Sequence, residues 1–247
     1  MSKLIGVRSI INLPCGLLAF CLAQTYAQAT PIGLPAPKEL SSCPPGDPVA
    51  AAEAGVAAKL GGELLGCFVS DKKTTVQGAT KSIPMSLEHA FAIRIPGGPY
   101  TSADLDKLLS KVTAQWKGFD PLSKEFENYR DRINELMRGV GTNPTATISS
   151  VKPVLVSIDR LGAKSYSVVS VRSYVLDLSG EHVSATRVNG DAVVLRGSEL
   201  VRLTMQRALT DPSDVAQLQG DIAEWAQAIA ASPSATDSDM SGNSKTP

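Results

Sequence analysis

Five side chains carry the strongest hint of chemistry in this sequence: Tyr166, Arg172, Tyr174, Arg202 and Thr204. Between Tyr166 and Asp177 apolar and polar residues alternate, so Tyr166, Val168, Ser170, Arg172 and Tyr174 share one face of a strand. The same alternation puts Arg202, Thr204 and Gln206 opposite Val201, Leu203 and Met205 on a later strand. If the two polar faces coincide, an exposed Arg/Tyr/Thr surface results. Guanidinium forks match carboxylate and phosphate geometry, and Arg and Tyr anchor many interfaces. Such a surface suits a small anionic ligand or a protein partner. The competing reading is the ordinary solvated face of an antiparallel sheet. If the face is an exposed binding surface, Arg172→Glu with Arg202→Glu leaves the melting temperature nearly unchanged.

Other chemistries find less support. The chain has two histidines, His89 and His182, and no Gly-x-Ser-x-Gly turn to hold a nucleophilic serine. Both histidines read as surface or packing residues on strands. A metal shared between them and Glu88 or Glu181 lacks any His-x-x-x-His or Cys-x-x-Cys spacing. Gly61-Gly62 has no following Gly-Lys-Ser/Thr, and Gly139-Val140-Gly141 runs into Pro144, so neither reads as a phosphate loop. Asp159, Asp177 and Glu181 fall at strand ends or turns, and aromatics are only 5% of residues, which argues against a sugar-cleaving cleft. No catalytic residue, metal or cofactor is assigned.

The compartment is read from the first 29 residues. Lys3 and Arg8 precede an apolar run from Ile10 to Ala23, and Ala27-Gln28-Ala29 has the small-x-small form of a signal-peptidase site. That run is about 14 residues, short of the roughly 20 a membrane-spanning helix needs. Cleavage after Ala29 is therefore expected, with Thr30 opening an exported, soluble chain. Phe20 before Cys21 and Pro14 before Cys15 argue against a lipid anchor. The 24 basic and 24 acidic residues balance, leaving no broad basic surface for nucleic acid. In an oxidising compartment the two mature cysteines, Cys43 and Cys67, are expected to bond, which would tie the leader to the body.

The elements that must position these residues are legible in outline. Six prolines between Pro31 and Pro48 suit an extended leader over residues 30–48. Asp47-Pro48 opens an Ala-rich helix to about Leu60 that Gly61-Gly62 ends. Leu64 to Val69 is a short strand, followed by a polar loop and a strand through Phe91, Ile93 and Ile95. Helices follow near Ala103–Lys117 and over 121–138, the second with a charged, solvated face. Beyond Pro144 the period changes to two. Val154, Val156 and Ile158 alternate on a strand, and turns are expected at Ser179-Gly180, Asn189-Gly190 and Gly197-Ser198. A last amphipathic helix starts at Asp211-Pro212 and carries Val215, Leu218, Ile222, Trp225 and Ile229 across one face of the sheet. The Ser-rich residues 232–247 are expected to be disordered.

The order Asn189-Gly190, Val193-Val194-Leu195-Arg196-Gly197, Glu199-Leu200-Val201-Arg202-Leu203 and Asp211-Pro212-Ser213-Asp214 leading to Trp225 resembles PsbP-like domains of exported bacterial proteins. The resemblance spans about residues 87–231. It implies an accessory or assembly role rather than catalysis, and it does not reach the Ala-rich helix or the cysteine pair. The expectation is one α+β domain over residues 49–231, an antiparallel meander packed by amphipathic helices. Its expected role is that of a periplasmic or secreted, non-catalytic binding or accessory protein of the bacterial envelope. A small exported hydrolase without a local motif and a periplasmic inhibitor or immunity-type protein are the alternatives.

Overall fold

The computed structural model describes residues 34–77, 82–86, 88–119, 131, 134, 146–178 and 181–233. The expected signal segment, the expected charged helix over 121–138 apart from Asp131 and Asn134, and nearly all of the expected tail lie outside them.

The first helix, α1 (Pro48–Lys59), begins where expected: Asp47 Oδ1 accepts from the backbone N–H of Val49 at 2.9 Å and of Ala50 at 3.0 Å. Ahead of it, β1 (Ser41–Ser42) pairs with β2 (Glu63–Val69). The Cys43–Cys67 disulfide fastens the same junction, with Cα atoms 5.4 Å apart. The leader is extended but not loose. Leu34 and Leu40 pack on the main core, and Trp225 Nε1 donates to the Pro35 carbonyl at 2.8 Å.

The polar loop expected after Val69 is instead a two-stranded hairpin, β3 (Lys73–Gln77) with β4 (Ser82–Ser86). Thr74, Thr75 and Val76 are β-branched residues that favour a pleated backbone. β5 (Glu88–Arg94) then enters the sheet. Thr101 and Asp104 form a capping box that starts α2 (Ser102–Lys117), whose Leu105 and Leu108 are buried.

Four strands follow: β6 (Ala146–Gly162), β7 (Ser165–Leu178), β8 (Glu181–Arg196) and β9 (Glu199–Ala208). The helix α3 (Ser213–Ala231) closes the order. The seven-stranded sheet runs β1-β2-β5-β9-β8-β7-β6 and is antiparallel at every pairing. This is the expected α+β meander.

One turn is corrected. Asn189-Gly190 does not reverse the chain; β8 runs through it unbroken, pairing Gly190 with Val169 on one side and Met205 on the other. The glycine is there for clearance. A Cβ on Gly190 would lie 2.8 Å from Leu218 Cδ2 and 3.2 Å from Ile222 Cβ, because α3 crosses the sheet at this point. Leu218, Ile222, Trp225 and Ile229 of α3 are buried on that face, against Val188, Leu203, Met205 and their neighbours. Phe68 and Trp225 meet edge to face with centroids 5.7 Å apart. The opposite face holds two smaller apolar clusters, one under α2 with Leu195 and Leu200 and one beside α1 with Leu64 and Phe91.

Candidate functional site

Between those two clusters the second face of the sheet is polar. Strand alternation and register bring Arg187, Asn189 and Asp191 of β8 beside Ser170 and Arg172 of β7, and beside Thr204 and Gln206 of β9. The two polar faces read from the sequence therefore do coincide. Their centre is Asp191. Its Oδ2 accepts from Arg172 Nη2 at 3.0 Å, and its Oδ1 accepts from Arg202 Nη2 at 2.6 Å and from Thr204 Oγ1 at 3.0 Å. Arg172 Nε also donates to Ser170 Oγ at 3.1 Å. Burial by itself would raise the Asp191 carboxyl, but Arg202 and Arg172 outweigh it and hold the group below the usual carboxylate range.

The surface is not the exposed one expected. Relative exposure is 1% at Arg172, 9% at Arg202, 3% at Thr204, 2% at Tyr166 and 3% at Tyr174. The arginines meet an anion supplied by the chain itself, Asp191, and so replacing both by glutamate opposes like charges inside the protein. The expectation of an exposed face is overturned, and the double change is now expected to destabilise the protein. Tyr174 donates to Asn189 Oδ1 at 3.5 Å, and Asn189 Nδ2 donates to the Arg187 carbonyl at 3.3 Å. Burial raises both tyrosine hydroxyls above their usual range.

Sequence reasoning missed the acids that answer these arginines. Asp191 was hidden by the reading of Asn189-Gly190 as a turn. Glu53 belongs to an Ala-rich helix that carries no strong amphipathic signal, yet it is 1% exposed and faces this network from α1. Its Oε1 has no hydrogen-bond partner. Burial pushes its carboxyl up to about 8, Arg202 pulls it down and Asp191 pushes it up further. Glu53, Val56, Leu60, Ile93 and Arg202 line a cavity of about 20 Å³ beneath α1, room for a single water.

His89 is buried while His182 is exposed. Burial, then Arg187 and Lys73, lower the His89 imidazole to about 3, so it is neutral at ordinary pH. Asp47 lies near both cysteines. The sulfurs are bonded to one another, however, and Asp47 caps α1, so this group offers no metal site. A second ion-pair cluster, Glu88–Arg207–Asp221, ties β5 and β9 to α3 at 2.7 and 2.8 Å. Among the described residues no helix is long and apolar enough to cross a membrane. No protein-family model matches this chain, and no curated protein matches it.

Proposed function

We propose that this is an exported, non-catalytic binding or accessory protein of the bacterial envelope, delivered to the periplasm or beyond by the cleaved segment ending at Ala29. A disulfide in a chain with an export-type start supports that compartment. An accessory role is also what the PsbP-like resemblance implies.

The observation that carries the reading is a run of exposed apolar side chains on the outermost described strand, β6. Val154 is 62% exposed, Leu155 38% and Val156 43%. Val154 lies opposite Val171 on the α3 side and Leu155 opposite Ser170 on the polar side, so β6 offers apolar side chains to water on both of its faces, and we read them as a surface that a partner covers. Lys152, Pro153 and the register shift between Leu155 and Ser157 blunt the strand against edge-to-edge pairing. A partner therefore packs on these side chains rather than adding a strand.

A photo-crosslinker at Val154 tests this in an envelope extract, with Glu224 on the exposed side of α3 as the control position. A specific adduct at Val154, absent at Glu224 and abolished by Val156→Asp, supports the reading. Equal capture at both positions, or an adduct indifferent to Val156→Asp, sinks it.

A further inference from the structure

The proline leader ahead of α1 is built as a separate piece. Residues 34–45 include Pro35, Pro37, Pro44 and Pro45, which have no N–H to donate, so no continuous ladder can hold this stretch to the sheet. It meets the sheet at one end, where Ser41 and Ser42 pair with Val69 and Phe68, and the Cys43 N–H donates to the Cys67 carbonyl at 2.9 Å. At the other end the Trp225 indole N–H reaches the Pro35 carbonyl at 2.8 Å. Pro37 and Leu40 are buried, and Leu34 and Leu40 join the apolar cluster that holds Phe68 and Trp225. Those two aromatic residues, edge to face, are each only 2% exposed beneath it.

Two backbone positions show how the piece is held. Among the described residues Glu39 is the one non-glycine with a left-handed backbone, φ 60°. Such strain persists where the surroundings impose it. The Glu39–Lys72 ion pair beside it is largely exposed and adds little. Gly46, between the disulfide and α1, has φ 78°, and a Cβ there would meet nothing within 4 Å, so the chain is free to turn at this point. Beyond it α1 is fixed by its own means, the Asp47 cap and the buried Ala52, Val56 and Ala57. What fastens the leader is therefore the Cys43–Cys67 bond. Both cysteines are half-buried, and Ser41, Ser42, Pro44, Pro45 and Gly46 around Cys43 are exposed, so a reductant can approach.

We propose that residues 34–45 are a redox-released strap: the Cys43–Cys67 bond fastens it, Gly46 is its hinge, and reduction lifts it from Trp225 and Phe68 while α1 and the sheet stay folded. The reductant is a dithiol, of the kind a thiol–disulfide oxidoreductase carries. Its thiolate attacks one sulfur of the pair, and the other cysteine leaves as a thiolate that takes up a proton. The second thiol of the reductant then closes its own disulfide and frees the first cysteine, two electrons having passed to the pair. The strained turn at Glu39 relaxes, and the indole N–H of Trp225 meets water. This device is separate from the β6 surface, and either stands without the other.

Trp116→Phe leaves Trp225 as the one tryptophan of the chain, so its fluorescence reports the strap. Dithiothreitol added to the disulfide-bonded protein moves the Trp225 emission to the red. It also speeds deuterium exchange of the indole N–H by about tenfold or more, while the amides of β8 and β9 keep their protection. Reoxidation reverses both changes. Cys43→Ser/Cys67→Ser gives the released signals with no dithiol present. Emission and indole exchange unmoved by reduction overturn the proposal, because the strap then holds without its fastener. Loss of protection in β8 and β9 together with Trp225 overturns it too, because the bond then supports the whole fold.

Discussion

At its centre the seven-stranded sheet is buried on both faces, but the two are closed by opposite means. Under α3 the contact is apolar and close: Gly190 makes room for Leu218 and Ile222, and Val188, Leu203 and Met205 have no exposed surface. On the other face Arg172, Arg187, Asn189, Thr204 and Gln206 are buried just as deeply. The first face draws its stability from area removed from water, which is non-directional and tolerant of conservative change. The second depends on each charge meeting its partner, which is neither tolerant nor uniform across pH. The polar face is the costly one, because every charge taken out of water there has to be matched.

The largest expected effect breaks the comparison at Asp191. Asp191→Ala leaves Arg172 and Arg202 buried without their shared counter-ion, at a cost of about 3–5 kcal/mol in urea unfolding. Asp191→Asn keeps an acceptor for Thr204 and costs less. A loss below about 1 kcal/mol in the alanine variant would mean that solvent reaches the arginines, and the two faces would then differ only in composition.

A smaller effect sharpens the comparison through pH, because Glu53 and His89 both lie on the polar side and titrate in opposite senses. The folded-state value of Glu53, about 8, lies above the ordinary 4.5. Its stabilising contribution is therefore complete below pH 4.5 and is lost as pH rises through 8. The folded-state value of His89, about 3, lies below the ordinary 6.5, so its contribution is complete above 6.5 and is lost as pH falls towards 3. Glu53→Gln is expected to flatten the alkaline fall in melting temperature, a change on the order of 10 °C. His89→Gln flattens the acid fall instead. Melting curves of both variants across this range check it. An unchanged alkaline limb in Glu53→Gln would show that α1 lifts off the sheet without reference to that carboxyl.

How far all this was legible in the sequence follows the same division. The apolar face was readable, since Leu218, Ile222, Trp225 and Ile229 recur at helical spacing and Val201, Leu203 and Met205 alternate. The disulfide and the caps at Asp47 and Thr101–Asp104 rest on local chemistry, though only the first two were read. The polar face was half readable. Alternation put Tyr166, Arg172, Tyr174, Arg202 and Thr204 on shared faces, but periodicity cannot say whether a polar face meets water or a helix. Glu53 is an acid among alanines, and its partners lie in strands more than a hundred residues away. Asp191 was lost to a single local signal, because Asn-Gly favours a turn unless tertiary packing claims the glycine.

That claim on the glycine gives the smallest and most local prediction. If Asn189-Gly190 were a hairpin turn, alanine at 190 would strain a left-handed backbone and leave α3 untouched. Within β8 the backbone is extended, and the added methyl meets α3 instead, 2.8 Å from Leu218 Cδ2 and 3.2 Å from Ile222 Cβ and Cγ2. The Leu218 end can swing aside, but the Ile222 branch is stiff, so α3 must shift by a few tenths of an ångström. Overpacking of this kind costs about 1–3 kcal/mol, and the reduced freedom of the unfolded chain returns about 0.4–1. Gly190→Ala should therefore destabilise by roughly 1 kcal/mol. Removing the branch at Cβ in Gly190→Ala/Ile222→Leu, which has no Cγ2 methyl, should recover part of that loss. Non-additivity between the two sites places the cost at the contact with α3. Strict additivity would place it in the backbone of β8, and the apolar face would then be less closely packed than its burial implies.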